Sequence, residues 1–350
     1  MSISEVSLDE WMRFDHAKAV GVAEAAARQA GGVVRSVRRR LWGGRAAFNA
    51  VIEVGGEPFV LVPGGEARLG FDGAGWAPTD DEVLSYLGSY QALDPFPEYA
   101  DVVEDDRDEA RAEWAEGTVE EVRAHIDKLT SRPRTVPLKA FLAAPRAHEA
   151  GVRAAAFDHP TIVPLVDRWK PGLQALFGDF GLADDDTRTC GRVRFDTEGK
   201  PTAAWLVTHV TYEGVDAELA CSGRRLPTPD EWEHAYALGA RTLFPWGDRM
   251  PTRWMKQDEV FVTPDGIRLA GDEPGLSGLY MAQDSYKWEL TADRREVRGA
   301  DGGGAACGGE PWFGQWLLQA SAYRDPEQSA FVSGRPHTRG TLVRPVIPLG

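Results

Sequence analysis

Residues 224–240, "RRLPTPDEWEHAYALGA", specify one helix start several times over, which narrows what the chain around it can become. Thr228 is placed to cap a helix through its hydroxyl, Pro229 suits the first helical position where its missing N–H costs nothing, and Glu231 can reach back to the Thr228 amide. Trp232, Ala235 and Tyr236 recur at helical spacing as an apolar stripe, and Gly239 supplies a left-handed stop. Every residue has a capping or packing role, so the stretch reads as structural punctuation rather than a site.

Such a helix needs a core to dock on, and 350 residues at 43% hydrophobic and 10% aromatic content supply one, in one large domain or two ordinary ones. The net charge of −15 argues against nucleic acid and against acidic membrane surfaces as partners. Eleven acids against four bases in residues 101–128 account for much of it, and the run reads as a solvated helix face rather than a cation site. No stretch approaches a membrane span, and the N-terminal "MSISEVSLDEWMRFDHA" is too acidic for a secretory signal. Three scattered cysteines, Cys190, Cys221 and Cys307, make no disulfide framework. A cytoplasmic address is the expectation.

Residues 1–45 read as an N-terminal helical extension, with a second capping box from Ser7 to Glu10, an alanine-rich helix to about Ala30 and a basic run, "RSVRRRLWGGR". From Ala46 the period changes to strand-like runs around Gly55 and Gly56, a hairpin signal. Residues 72–132 read as an inserted acidic helical segment, after which "PRTVPLKAFLAA" resumes extended structure. A second hairpin turns at Glu198 and Gly199, and a helix from about Tyr212 to Cys221 is closed by Gly223. Cys221 is expected on a core-facing side of that helix, as a packing residue. Beyond Phe244 the chain is rich in Gly, Pro and Trp with little periodicity. The pattern is α+β, with function expected on the loops.

Several landmarks taken together resemble the formylglycine-generating enzyme family, the sulfatase-modifying factor domains, whose fold is a variant of the C-type lectin fold. They are "FVLVPGGEARLG" at 59–70, "TVPLKAFLAA" at 135–144, "VTYEGVDAELACSGRRLPTPDEWEHA" at 210–235, "FPWGD" at 244–248, "GLYMAQDSYKWELT" at 278–291, "SAYRD" at 321–325 and "RGTLVRPV" at 339–346. The resemblance covers roughly residues 46–350 and makes Arg225, Leu226, Pro227, Thr228, Glu231, Trp232, Trp246, Gly247, Asp248 and Trp288 signatures of the fold.

Activity has to be argued from the site, because one fold carries many functions. The family's enzyme holds Cu(I) on two cysteines five residues apart, and counting back from Tyr323 and Arg324 those positions are Ala320 and Gln315. Neither can supply the soft thiolate that Cu(I) needs, so copper is not expected. A second, iron-dependent sulfoxide synthase branch uses three histidines. Here His16, His125, His148, His159, His209, His234 and His337 are scattered, with no two at helical ligand spacing. The family's calcium element leaves only Glu289 after Trp288, with Tyr286 where an asparagine would fall, and one carboxylate cannot complete a calcium shell. The expectation is no cofactor, with calcium at Glu289 kept as the alternative to a hydrogen-bonded or ion-paired carboxylate.

What the resemblance then implies is a lectin-like binding or scaffold protein that presents its C-terminal loop face to a protein partner through Trp312, Trp316, Tyr323 and Arg324, residue types that anchor interfaces. The two tryptophans can equally be core. The alternative is a repurposed metal-dependent oxidase in which Cys307, in a glycine-rich loop, is ligand or nucleophile.

Overall fold

The computed structural model describes residues 3, 6–79, 82, 119–167, 179–180, 189–196, 198–251, 260–262, 268–270, 273–282, 284–304, 312–326, 329 and 341–350. Helices α1 (Leu8–Trp11) and α2 (His16–Ala30) begin the chain, both capped as the sequence specifies: Ser7 and Glu10 close a capping box, and Gly31 ends α2 in the left-handed conformation. Strands β1 (Val33–Trp42), β2 (Arg45–Val54) and β3 (Glu57–Val62) follow as an antiparallel meander, with Gly55 and Gly56 at φ 62° and 84° forming the tight turn that a hairpin needs there.

The 45-residue extension therefore does not stand apart: β1 is one edge of a five-stranded sheet, and the alanine face of α2 packs on the same core as Ile52, Phe59 and Leu142. The reason it is hard to read is chemical. An arginine-rich edge strand half-exposed on both faces carries no apolar alternation.

Strand β4 (Gly65–Leu69) leaves that sheet, and the chain returns through α3 (Val119–Leu129), β5 (Arg134–Leu138) and β6 (Phe141–Ala143). β4 and β5 form a separate two-stranded ribbon. Of the segment read as an acidic helical insertion, α3 is helical and buries Val122 and Ile126, while 83–118 lies outside the described residues.

Next come β7 (His148–Glu149), β8 (Val152–Ala154), the short α4 (Val163–Asp167), β9 (Asp179–Phe180), β10 (Thr189–Phe195) and β11 (Pro201–Thr208). The β10–β11 hairpin turns at Gly199, φ 83°, with the Asp196 carboxylate accepting from the amides of Glu198 and Lys200. Helices α5 (Tyr212–Cys221) and α6 (Pro229–Ala237) flank the opening motif. Cys221 is exposed, because Val215 and Leu219 form the buried face of α5; the packing role expected for it is corrected. The remaining elements are β12 (Val260–Val262), β13 (Arg268–Ala270), β14 (Trp288–Leu290), β15 (Val297–Arg298), α7 (Trp312–Leu317), β16 (Thr341–Val343) and β17 (Val346–Pro348).

The main sheet runs β1-β2-β3-β6-β17, and two four-stranded sheets run β8-β11-β10-β9 and β15-β14-β16-β7. The architecture is mixed α+β with open sheets, and no helix among the described residues is long and apolar enough to cross a membrane.

Candidate functional site

The motif around Thr228 is a fastening. Thr228 Oγ1 accepts from the Glu231 amide at 3.1 Å and Glu231 accepts from the Thr228 amide at 2.8 Å, so two otherwise unsatisfied helix-start donors are met. Glu231 also takes a bidentate pair from Arg225, at 2.6 and 2.7 Å. Arg225 exchanges backbone hydrogen bonds with Val346, and Pro227 accepts from Ala292, so the start of α6 is tied to the last strand and to the loop after β14. Leu226 and Pro227 are buried beneath it. So many residues are spent on one helix end because it joins three parts of the chain. The stop is reached one residue early: Leu238 already has φ 40°, and Gly239 follows at 81°.

Below the cap, α6 buries charge as well as apolar surface. Trp232 donates from Nε1 to Glu289 at 2.9 Å, and Glu289 is held bidentately by Arg344 at 2.8 Å in both contacts. Arg344 gives its remaining N–H groups to the carbonyls of Ala144, Pro145 and Tyr280. At 2% and 1% exposure these two charges survive burial because each neutralises the other and every guanidinium donor is used. Both Glu289 oxygens accept from Arg344, and Oε2 also accepts from Trp232, so the carboxylate is hydrogen-bonded and ion-paired.

Glu233, the neighbour of Trp232, is a second buried carboxylate. It accepts from the Gly70 amide, Ser131 Oγ at 2.8 Å, Arg134 at 2.9 Å and Arg298 at 3.4 Å. Arg298 also donates to the Tyr323 carbonyl at 2.8 Å and pairs with Glu296. Thus α6 lies between two ion-pair systems, with the Trp232 ring at their boundary, 5.9 Å from the Arg298 guanidinium. His234 donates from Nε2 to the Pro63 carbonyl at 2.8 Å, and burial holds its imidazole below the usual histidine range. Tyr236 donates to Gln319 at 2.8 Å, and burial raises its phenol above its ordinary value.

Sequence reasoning missed Glu233, Arg134, Arg298 and Arg344. The available signal was charge at positions of α6 that flank a buried tryptophan, together with single arginines at or next to the ends of short strands.

The "PWGD" landmark is a turn. Phe244 and Gly247 exchange backbone hydrogen bonds, Gly247 sits at φ 152°, and the Asp248 carboxylate accepts from the Leu243 amide at 2.9 Å. Trp246 stacks on Phe244 with ring centroids 4.9 Å apart and meets Trp316 edge-on at 6.0 Å. Trp288 is half-buried on β14.

The expected docking aromatics are placed differently. Trp316 and Tyr323 are 3% and 4% exposed and belong to one cluster with Trp76, Val122, Ile126 and Trp246. They are core residues, in a cluster shared with Val122 and Ile126 of α3, from the segment that the sequence reads as an insertion. Trp312 begins α7, and Cys307 lies outside the described residues. Arg324 is half-buried: its amide donates to the Leu129 carbonyl at 2.8 Å, while its buried Nε has no partner among the described residues. Gln315 and Ala320, which the resemblance sets against the family's copper cysteines, are both buried, and neither side chain is a Cu(I) ligand. Among the described residues no group of three or more His, Cys, Asp or Glu converges to hold a metal ion.

No family model matches the chain. Over 89 residues, 23% of this chain and 20% of the relative, it is 50% identical to a hercynine oxygenase of Mycolicibacterium thermoresistibile. Over 107 residues, 27% of this chain and 34% of the relative, it is 34% identical to inactive C-alpha-formylglycine-generating enzyme 2 of Mus musculus. A hercynine oxygenase of Mycobacterium tuberculosis is 33% identical over 101 residues, 25% of this chain and 24% of the relative. The matches thus span between a fifth and about a third of these relatives' lengths. In the matched part the chain is similar to proteins of the formylglycine-generating-enzyme type.

Proposed function

We propose that this chain is a lectin-like binding or scaffold protein of the formylglycine-generating-enzyme type that makes no formylglycine and works in the cytoplasm on a protein partner. The observation that carries the reading is the buried Gln315 and Ala320 where the resemblance calls for two thiolates. The similarity to a mouse relative named inactive supports it. With Trp316 and Tyr323 in the core, the C-terminal face keeps Arg324 as its candidate anchor, a half-buried residue of a type that anchors interfaces. Trp312 is the second candidate contact.

The rival reading is a metal-dependent oxidase with a non-standard site using Cys307, and the similarity to relatives named hercynine oxygenase favours it. Metal analysis of the purified chain separates the two. The binding reading expects no stoichiometric transition metal, and equal metal content in wild type and Cys307→Ser. One metal per chain, lost in Cys307→Ser, supports the oxidase.

A further inference from the structure

A cleft of about 740 Å³ opens between the β4–β5 ribbon, the turn at 70–77 and the loop at 241–249. That volume is in the range of small-molecule sites. Four arginines line it, Arg68, Arg134, Arg241 and Arg249, in a chain whose net charge is −15.

The four are not equivalent. Arg134 is tied to Asp230 and Glu233, and Arg249 to Glu82 and the Ala77 carbonyl, so these two form fixed walls. Arg68 and Arg241 are exposed, and their guanidinium groups have no hydrogen-bond or ion-pair partner among the described residues. Strand alternation explains Arg68: Ala67 and Leu69 on either side of it are buried, which turns its side chain to the opposite face of the ribbon. Two carboxylates also line the cleft, but both are used in turns. Asp72 accepts from the Ala74 amide at 3.1 Å, and Asp248 from the Leu243 amide at 2.9 Å. Gly75 lines the cleft and has open space beside it, so a Cβ there would meet no atom within 4 Å.

We propose that this cleft binds a small oxyanion, a phosphate ester or a polycarboxylate, gripped by the free guanidinium groups of Arg68 and Arg241 against the fixed walls of Arg134 and Arg249. Guanidinium forks match carboxylate and phosphate oxygens bidentately, which selects this ligand class over a neutral or cationic one. The site is independent of the copper positions and stands whether or not the protein is an enzyme.

The test is calorimetric titration of the full chain with inorganic phosphate and, separately, citrate, in a chloride background of matched ionic strength. Saturable binding of at least one anion is expected. Tighter phosphate assigns a phosphate ester, and tighter citrate a polycarboxylate. Arg68→Ala with Arg241→Ala, both at exposed positions, should weaken binding by about tenfold or more. Gly75→Trp, which adds bulk at a residue lining the cleft while leaving all four arginines in place, should also weaken it. Absence of saturable binding to either anion, or binding that both variants leave unchanged, would overturn the proposal.

Discussion

At Glu289 and Arg344 the fold depends on two charges that water would otherwise hold. Burial of an ion pair is roughly neutral when both partners are present and strongly unfavourable when one is removed, because the survivor is left uncompensated. Glu289→Gln should therefore lower stability by about 3 to 5 kcal/mol, and the double variant Glu289→Leu with Arg344→Met should lose clearly less than the two single variants summed. Denaturant melts of the cycle decide it, and simple additivity would show that the pair is not coupled. His234 gives a pH signature. Its folded pKa lies below the ordinary value because burial outweighs the nearby Glu231 and Glu233 carboxylates. The unfolded chain therefore binds more protons, and stability is complete above about pH 6.5 and falls as pH drops below it, by up to about 1.4 kcal/mol per pH unit for this group. His125 and His148, depressed by burial as well, act in the same direction. His234→Gln keeps a donor for the Pro63 carbonyl and should flatten the slope of stability between pH 5 and 6.5; an unchanged slope would assign the effect to the other histidines.

Among the elements, those with local grammar were legible in the sequence. The capping boxes at Ser7 and Thr228, the end of α2 near Ala30, the glycine turns of two hairpins and the span of α5 all follow from residues within a few positions of one another. What was not legible is set by distant partners. Glu289 and Arg344 are 55 residues apart, and such a pair leaves no period. Trp312 and Trp316 look exposed beside a glycine-rich loop, and only the return of α3 shows that the Trp316 ring is covered. Two predictions belong here. Thr228→Ala should cost about 1 kcal/mol through the lost cap, and Trp232→Ala about 3 to 5 kcal/mol through the cavity. Ile126→Ala should cost about 2 to 5 kcal/mol, since Ile126 shares a cluster with Phe313 and Trp316. An α3 that merely covers the surface would let Ile126→Ala melt within about 0.5 kcal/mol of wild type.

Over the whole molecule, the mixed α+β architecture with open sheets and the partial similarity to proteins of the formylglycine-generating type agree with the order of landmarks along the chain. Among the described residues, α6 is flanked by the buried ion pairs of Glu233 with Arg134 and Arg298 and of Glu289 with Arg344. The proposed binding function uses this architecture without copper-dependent oxidation. The most direct measurement is oxygen uptake by the protein after anaerobic loading with Cu(I), in the presence of a cysteine-containing sulfatase peptide, with aldehyde labelling of the peptide read in parallel. The account predicts no tightly held copper, no oxygen uptake above the peptide-free control and no labelled aldehyde. Stoichiometric copper together with peptide-dependent oxygen uptake and formylglycine in the product would contradict it.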